Sequence, residues 1–357
     1  MCQKLKEKLI EWIEKNGPMP LDVFWEKTQL DSEEGYYQRQ EKQGLGKDFI
    51  TAPAVSQLFG EILGVWLVRQ WQSLNMPSKF YLVELGPGHG IMMTDVLRTL
   101  QKFPLMYHGM HLILLEPSSF LRQKQKKALE VCACPITWVQ NIQEVESVAA
   151  KQHAPMLICG NEFLDALPIL QYEKTRDGWK ERKIIWDSDK GFLWKLVPLS
   201  EKWNTDFPVK SKVGDIVEKS PLRLKSVEQL IHLIKKYTGA LWFCDYGPEG
   251  AAQGDTLQGL HRGNFSNPLD HVGLTDITSH VYFDELLQCF RHHQLMTWGP
   301  RPQNIFLKEN GIDARFEMLK QKITGEQKTT LESQYQRLTD PQQMGTLFKV
   351  ITGTYMG

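Results

Sequence analysis

The sequence predicts an α/β protein built around a doubly wound parallel sheet. Short apolar runs of strand character alternate with amphipathic helical patterns four times in succession from residue 80 onwards. This alternation is typical of consecutive β-α-β units. The first run, residues 80–85, is followed by glycines at every second position and then by a helical pattern, so a tight turn joins that strand to its helix.

The other elements follow from the period of their apolar residues. Two amphipathic helices are expected at 4–15 and 21–28, and a long helix opens at Thr51–Pro53. For the core, the pattern predicts strands at 80–85, 111–115, 135–140, 156–160 and 240–244, and helices at 91–102, 118–131, 143–151 and 226–237. For the tail, it predicts a helix at 282–292 and strands near 294–298, 304–307 and 347–352.

Changes in this period divide the chain into four parts. They are an N-terminal helical cap or lid (1–76), the first half of the core (77–170), a β-hairpin insertion (171–225), and the second half of the core with antiparallel C-terminal strands (226–357). The pattern of residues 1–76 fits two roles equally well: a helical cap that only packs against the core, or a lid that covers a bound ligand. The insertion is a candidate surface for a homodimer or for a protein substrate.

The overall charge excludes one broad class of function. Lysine plus arginine and aspartate plus glutamate both number 42, so the formal net charge is zero. No electrostatic case remains for a general nucleic-acid binder. No stretch approaches the roughly 18 apolar residues of a membrane span, so we expect no membrane insertion. The first helix carries Glu7, Glu11 and Glu14 among its lysines, unlike an acid-poor transit peptide. This favours a cytoplasmic protein, or a matrix protein whose presequence has been removed.

The cysteines give no sign of a metal centre. Cys132-Ala-Cys134 lacks the two-residue gap and the second ligand pair of a zinc site. The histidine pair His292-His293 is expected at the surface near a helix. The sequence therefore predicts no metal, and a reducing compartment without structural disulfides.

The glycine turn points to a nucleoside cofactor. Gly86, Pro87, Gly88 and Gly90 form a G-x-G-x-G pattern, whereas the NAD fingerprint is G-x-G-x-x-G. Glu84 precedes the turn, where it would repel a pyrophosphate but suit the cationic groups of S-adenosyl-L-methionine (SAM). These two features favour SAM over NAD and disfavour an NAD-dependent oxidoreductase. The alternative is an ordinary strand–turn–helix that binds no ligand.

Two further strand ends carry acidic side chains. Glu116 ends the second strand, where a carboxylate can accept hydrogen bonds from a ribose diol. Asn161, Glu162 and Asp165 follow the fourth strand, and carboxylates can meet the planar fork of an arginine guanidinium with two bonds. The alternative is that Asn161 or Asp165 only caps a helix while Glu162 is solvated.

These motifs together resemble a known family, the MidA-like SAM-dependent methyltransferases. The resemblance is carried by residues 34–37, 46–53, 55–60, 83–90, 115–118, 161–168, 179–182, 245–247 and 345–350. It implies a class I, Rossmann-like methyltransferase fold with the helical cap and the hairpin insertion. It also implies that SAM is bound by the glycine turn, Glu84 and Glu116, with Thr51, Pro53 and Ile142 nearby.

The resemblance further implies a function. Mitochondrial members of the family are complex I assembly factors that methylate an arginine, so we expect a protein arginine N-methyltransferase acting on a respiratory NADH dehydrogenase subunit or a similar protein. Asn161, Glu162 and Asp165 would form its acceptor site. A non-catalytic SAM-binding assembly factor and a small-molecule methyltransferase are the alternatives.

Overall fold

The computed structural model describes residues 2–38, 51–199, 207–250, 252 and 254–357. Contacts divide the chain into two compact units. We call Ile50–Leu164, Ser226–Gly250 and Val281–Gly357 the sheet unit, and Met1–Phe49, Asp165–Lys225 and Ala251–His280 the accessory unit. Residues 39–50 of the predicted cap, which include part of the 46–53 motif, lie outside the described residues.

Strands alternate with one or two helices from residue 80 to residue 161, whereas several strands or helices follow one another elsewhere in the described chain. The strands are β1 (Met19–Pro20), β2 (Phe80–Leu85), β3 (Met110–Leu115), β4 (Ile136–Val139), β5 (Met156–Asn161), β6 (Leu170–Thr175), β7 (Gly178–Asp187), β8 (Gly191–Pro198), β9 (Ile216–Lys219), β10 (Gly239–Tyr246), β11 (Gln258–His261), β12 (Asn264–Ser266), β13 (Asp276–Thr278), β14 (Met296–Pro302) and β15 (Phe348–Tyr355). The α-helices are α1 (Gln3–Asn16), α2 (Leu21–Leu30), α3 (Ala52–Val55), α4 (Gln57–Ser73), α5 (Ile91–Leu100), α6 (Pro104–Gly109), α7 (Ser119–Ala128), α8 (Ile142–Ala149), α9 (Pro221–Tyr237), α10 (Phe283–His292), α11 (Gln303–Glu309), α12 (Ile312–Lys320), α13 (Glu326–Thr339) and α14 (Met344–Leu347).

A seven-stranded sheet forms the centre of the sheet unit, in the order β14-β15-β10-β5-β2-β3-β4. The five strands from β10 to β4 are parallel, whereas β15 runs in the opposite direction and pairs antiparallel with both β10 and β14. Strands β2, β5 and β10 are buried along their whole length, as expected where helices cover both faces. The predicted doubly wound α/β fold is confirmed, and the antiparallel pairing of the C-terminal β15 makes the sheet mixed.

Helices α4 and α5 pack closely because two glycines face the partner helix. A Cβ atom on Gly60 would lie 2.7 Å from the Cβ of Asp95, and one on Gly64 would lie 2.7 Å from the Cβ of Thr99. Real Cβ atoms do not approach so closely, so larger residues would push the helices apart. This packing supports α5, the helix that follows the glycine turn.

The accessory unit has its own sheets and its own core. Strands β1, β7, β6 and β9 pair in that order with β8 on β7, and β12-β11-β13 form a second small sheet. Helices α1 and α2 bury Leu9, Phe24 and Trp25 in a cluster with Ile184 and Phe192 of the hairpin. The predicted hairpin is thus present as β7 and β8, within a larger sheet than the pattern indicated.

Three predicted elements differ from the structure. The strand expected near 304–307 is wrong, since these residues belong to α11, where Phe306 and Leu307 are buried and Ile305 is exposed; so short an apolar run cannot separate strand from helix. The long helix expected from residue 51 is interrupted at Ser56, whose backbone is extended and whose hydroxyl accepts the N–H of Leu58. For residues 246–276 the sequence, rich in Gly, Asn, Asp and His, predicts a long loop, but this stretch contains the short strands β11 and β12.

Among the described residues, no helix combines the length and the apolar character needed to cross a bilayer.

Candidate active site

Four neighbouring parallel strands of the sheet unit end at one edge. Register pairs Leu85 of β2 with Leu115 of β3 and with Gly160 of β5, and pairs Asn161 with Cys244 of β10. The residues that follow these strands therefore lie side by side. The chain order reverses between β2 and β5, and ligands of open α/β sheets bind at such a point.

The turn after β2 needs its glycines for their backbone conformation. Gly86, Gly88 and Gly90 have φ values of +61°, +51° and +80°, a region that side chains with a Cβ rarely adopt. The turn is held by hydrogen bonds from the Gly86 N–H to the Leu115 carbonyl and from the Gly90 N–H to the Pro87 carbonyl. A Cβ on Gly88 would meet no described atom within 4 Å, so its backbone faces open space and a ligand can lie against it.

Glu84 is a buried acid with an oxygen that has no partner. The side chain is 1% exposed, and its Oε2 makes no hydrogen bond within the described residues. Burial, with a smaller contribution from the charge of Glu116, raises the pKa of Glu84 to about 8. A buried acid of this kind is costly in isolation. It suits a ligand that brings a cationic donor.

Glu116 is also buried, but hydrogen bonds fix its carboxylate. Oε1 accepts the backbone N–H of Ser118 at 2.9 Å, and Oε2 accepts Nε2 of Gln125 at 3.1 Å. Burial nevertheless raises its pKa to about 7 against the opposing effect of these bonds and of Arg122. Each oxygen retains acceptor capacity for a further hydroxyl group, as a ribose diol would require.

Gln125 is the site residue that the sequence analysis missed. Its side chain is fully buried, its Nε2 also donates to the Gly88 carbonyl at 2.8 Å, and its Oε1 accepts Nε1 of Trp138 at 3.0 Å. One signal was available in the sequence. Gln125 lies four residues after Leu121, on the apolar face of α7, where a polar residue needs buried partners.

The turn after β5 holds Glu162 in an unusual backbone conformation. Its φ is +48°, its N–H donates to the Cys244 carbonyl at 2.9 Å, and its Oε1 accepts Nδ2 of Asn161 at 3.0 Å. Positive φ in a residue with a long side chain is uncommon and concentrates at functional sites. Oδ1 of Asn161 is buried with no hydrogen-bond partner in the described part of the chain.

Asp245 of β10 supports the same turn. Its Oδ2 accepts the N–H of Leu164 at 2.9 Å, and its Oδ1 accepts the N–H of Tyr246 at 3.0 Å. The carboxylate is 1% exposed, so these bonds are made in a dry environment where they are strong. Asp245 therefore acts on the conformation of the Asn161–Glu162 turn from the neighbouring strand.

Asp165 belongs to the accessory unit, where its carbonyl accepts the N–H of Ser279 at 3.2 Å. In that unit the Tyr37 hydroxyl donates to Oδ1 of Asp276 at 3.3 Å. Burial, together with the charges of Asp276 and Asp165, raises the pKa of Tyr37 well above its usual value. The predicted role of Asp165 at the acceptor stays a prediction.

The remaining predicted cofactor residues lie on two short helices. Thr51 is the N-cap of α3 and Pro53 is buried within it, and α3 contacts α5, the helix that begins at the glycine turn. Ile142 is half-buried and opens α8 after β4. The N–H of Glu116 donates to the carbonyl of Val139, the last residue of β4, so Ile142 follows a strand of the same sheet edge.

Comparison with known proteins identifies the family. Residues 62–301 match a family of S-adenosyl-L-methionine-dependent methyltransferases. The chain is a member of the MidA-like SAM-dependent methyltransferases. The resemblance stated from the sequence is thereby confirmed, and SAM is the cofactor of this methyltransferase family.

Curated relatives of this methyltransferase cover nearly the whole chain. It is 32% identical to "Protein arginine methyltransferase NDUFAF7, mitochondrial" of Xenopus tropicalis, over 97% of this chain and 84% of the relative. The human protein of the same name is 30% identical, over 94% of this chain and 80% of the relative. The Drosophila melanogaster homologue is 29% identical, over 98% and 84%.

A solved structure shares the fold. The chain superposes on a Burkholderia thailandensis protein bound to S-adenosyl-homocysteine with a TM-score of 0.83 and 23% identity, over 99% of this chain and 92% of that one. The cofactor fits the side chains found here on their own chemistry. Glu84 has a buried oxygen without a partner, and the Gly88 backbone faces open space.

Proposed function

We propose that this methyltransferase transfers a methyl group from SAM to a guanidinium nitrogen of an arginine in a protein. One structural observation carries the proposal. Glu162 is held at φ +48° with its carboxylate hydrogen-bonded to Asn161, on the sheet edge that also carries the glycine turn. The names of the curated relatives support arginine as the acceptor.

Three groups would hold the cofactor. When bound, SAM supplies a methyl group already activated on a sulfonium. The carboxylate of Glu84 would pair with the cationic amino group and thereby satisfy its buried oxygen. Glu116 would accept the ribose hydroxyls, and the bare backbone of Gly88 would allow close approach. Thr51, Pro53 and Ile142 are proposed to complete the pocket wall.

Glu162 would hold the acceptor and handle its proton. A carboxylate accepts two parallel hydrogen bonds from a guanidinium, which orients the attacking nitrogen. The same carboxylate can take the proton that nitrogen loses as it becomes methylated, and general bases of this kind contribute about 10²–10⁴-fold. The Asn161 amide positions the carboxylate by occupying Oε1. We also propose that Asp165 contributes to binding of the acceptor arginine.

Glu162→Gln separates this role from cofactor binding. The variant keeps the shape and the hydrogen bond from Asn161 but cannot take a proton, so turnover should fall at least about a hundredfold, with SAM affinity nearly unchanged. Glu130→Gln makes the same change at an exposed position of the sheet unit and should behave as the unaltered protein. Calorimetry gives the SAM affinity.

The acceptor is tested with tritiated SAM and purified respiratory NADH dehydrogenase, the substrate that the family resemblance implies. Label recovered as methylarginine after acid hydrolysis, and lost in Glu162→Gln, supports the proposal. SAM binding without transfer to protein would favour the non-catalytic assembly factor. Label recovered only in small molecules would favour a small-molecule methyltransferase. The homodimer also stays a prediction, to be checked by sedimentation equilibrium.

A further inference from the structure

Helices α9 and α10 bring three potential metal ligands together in the sheet unit. The ligand atoms of Glu228, Cys289 and His293 all lie within 4.8 Å of one another. Glu228 is on α9, Cys289 is on α10, and His293 is the residue that caps the end of α10. None of these residues takes part in the site described above.

The two helices present their ligands with the same spacing. Glu228 and His232 are four residues apart on α9, and Cys289 and His293 are four residues apart at the end of α10, so each pair lies on one face of its helix. The rings of His232 and His293 lie with their centroids 5.3 Å apart. Three of these side chains have their ligand atoms within 4.8 Å of one another, and His232 stands beside them as a candidate for the fourth position of a tetrahedral site.

The hydrogen bonding of His232 leaves a lone pair available. Its Nδ1 lies 2.6 Å from the carbonyl oxygen of Glu228, and a carbonyl only accepts, so Nδ1 carries the hydrogen. Nε2 then holds the lone pair. Histidine ligands of metal sites are commonly fixed in this way, with the other ring nitrogen donating to a carbonyl or carboxylate.

We propose that Glu228, Cys289 and His293 bind a zinc ion, with His232 as the fourth ligand. Thiolate, imidazole and carboxylate together suit Zn²⁺ better than the all-oxygen sets preferred by Mg²⁺ or Ca²⁺. Ligand atoms around tetrahedral zinc lie roughly 3.4–3.7 Å apart, given bonds of about 2.0–2.3 Å. The side chain of Glu228 is exposed and can rotate inward, which would shorten the present separations of up to 4.8 Å to this distance. The negative charges of one carboxylate and one thiolate balance the charge of the ion.

Only the thiolate form of a cysteine ligates zinc, so binding of the ion at Cys289 is expected to release the thiol proton to solvent.

The spacing explains why the sequence predicts no metal here. The ligands fall in two pairs some sixty residues apart, and each pair is separated by a helical turn rather than by the two residues of a zinc-finger knuckle. The ion would tie α9, which leads into β10, to α10. The expected role is structural, since the protein fills all four positions.

The test uses the full chain without a histidine tag, titrated with Co²⁺ as a spectroscopic probe and with Zn²⁺ against a chelating dye. We expect one equivalent of Co²⁺ to give a thiolate-to-cobalt absorption band. Cys289→Ser should abolish the band and weaken Zn²⁺ binding by more than the roughly 10–100-fold that loss of a supporting hydrogen bond costs. SAM affinity should stay unchanged.

Cys132 and Cys134 provide the matched control, because their sulfurs lie 3.0 Å apart and could bind the probe instead. A Cys132→Ser, Cys134→Ser double variant should keep the band. If the double variant loses the band while Cys289→Ser keeps it, the proposal is overturned. The proposal is also overturned if the unaltered protein binds no Co²⁺ at micromolar protein concentration. Should Cys289→Ser fail to fold, alkylation of the unaltered protein decides: zinc must protect Cys289 from iodoacetamide, and equal labelling with and without zinc contradicts the site.

Discussion

Nε2 of Gln125 lies 3.1 Å from Oε2 of Glu116 and donates to it. The same amide donates to the carbonyl of Gly88 at 2.8 Å. One buried side chain of α7 thus fixes both the glycine turn and the acid after β3, the two features that the sequence assigns to cofactor binding. Gln125 is a positioning residue, because its bonds go to the groups proposed to touch SAM.

Gln125→Leu should therefore weaken SAM binding without removing any proposed cofactor contact. The leucine keeps the apolar packing of α7 but leaves Glu116 and the Gly88 carbonyl without their donor. Loss of a hydrogen bond to a charged group costs about 1.5–3 kcal/mol, so the SAM dissociation constant measured by calorimetry should rise roughly ten- to hundredfold. Gln123→Leu, at an exposed position of the same helix, should leave it unchanged; equal affinities in the two variants would contradict the positioning role.

Glu84 should make the cofactor-free protein less stable as the pH rises. Its pKa is raised from 4.5 to about 8 in the fold, so between these pH values the unfolded chain has lost a proton that the folded chain keeps. The contribution of Glu84 to the free energy of unfolding is therefore fully present below about pH 4.5. It decreases as the pH rises towards 8, by at most about 1.4 kcal/mol per pH unit.

Glu84→Gln should remove this dependence. The difference between the unfolding free energies of the unaltered protein and the variant, measured in urea without SAM, should shift steadily against the unaltered protein from pH 5 to pH 8. Glu130→Gln, at an exposed position, serves as the control and should show a constant difference. A constant difference for Glu84→Gln as well would mean that Glu84 is ionised throughout.

The sequence predicts the core of this fold well for a physical reason. Strands such as β2 and β5 are buried on both faces and are mostly apolar, and the intervening helices show a strong 3.6-residue period. The carboxyl edge could also be foreseen, because parallel strands bring the residues after them together. Individual hydrogen bonds, such as those of Gln125 with Glu116 or of Asp245 with Leu164, could not be predicted from the sequence, because they join residues from different elements.

The accessory unit shows the same limit at a larger scale. Its core combines α1 and α2 with a hairpin that follows more than 140 residues later. Local periodicity predicts each of these elements separately but carries no information about which of them pack together. The helix α11 was mistaken for a strand because its buried face consists of only a few residues.

Buried Glu61 of α4 and partly exposed Arg315 of α12 form an ion pair within the sheet unit. Nε and Nη2 of Arg315 donate to the two carboxylate oxygens at 2.7 and 2.9 Å, and Glu61 is 3% exposed. Arg315→Met would leave a buried carboxylate whose remaining ion pair among the described residues is the longer one with Arg98, at 3.4 Å. Such a loss costs about 3–5 kcal/mol, and we expect the lower end because Arg98 remains.

Arg301→Met is the matched comparison. Arg301 pairs with Glu309 at 3.2 Å, but both side chains are about half exposed, and surface pairs contribute about 0–1 kcal/mol. Urea unfolding should therefore show a large loss of stability for Arg315→Met and a small one for Arg301→Met. If the two losses are similar, the Glu61–Arg315 pair is screened by solvent and does not hold α12 to α4.

Gly88 and Gly191 separate backbone strain from cofactor binding. Both have positive φ, +51° and +87°, and a Cβ on either would meet no described atom within 4 Å. Alanine at either position should therefore fold with a similar penalty, about 1–2 kcal/mol for a left-handed conformation. Only Gly88 lies in the turn proposed to contact SAM, because Gly191 opens β8 of the accessory unit.

The expected result is a loss of SAM binding in Gly88→Ala alone. A methyl group at residue 88 occupies space that the cofactor would need against the backbone, so the dissociation constant should rise at least about tenfold, or 1.4 kcal/mol. Thermal unfolding without SAM should shift alike in both variants, whereas the stabilisation that added SAM gives should survive only in Gly191→Ala. If Gly88→Ala keeps that stabilisation, the cofactor does not lie against the glycine turn.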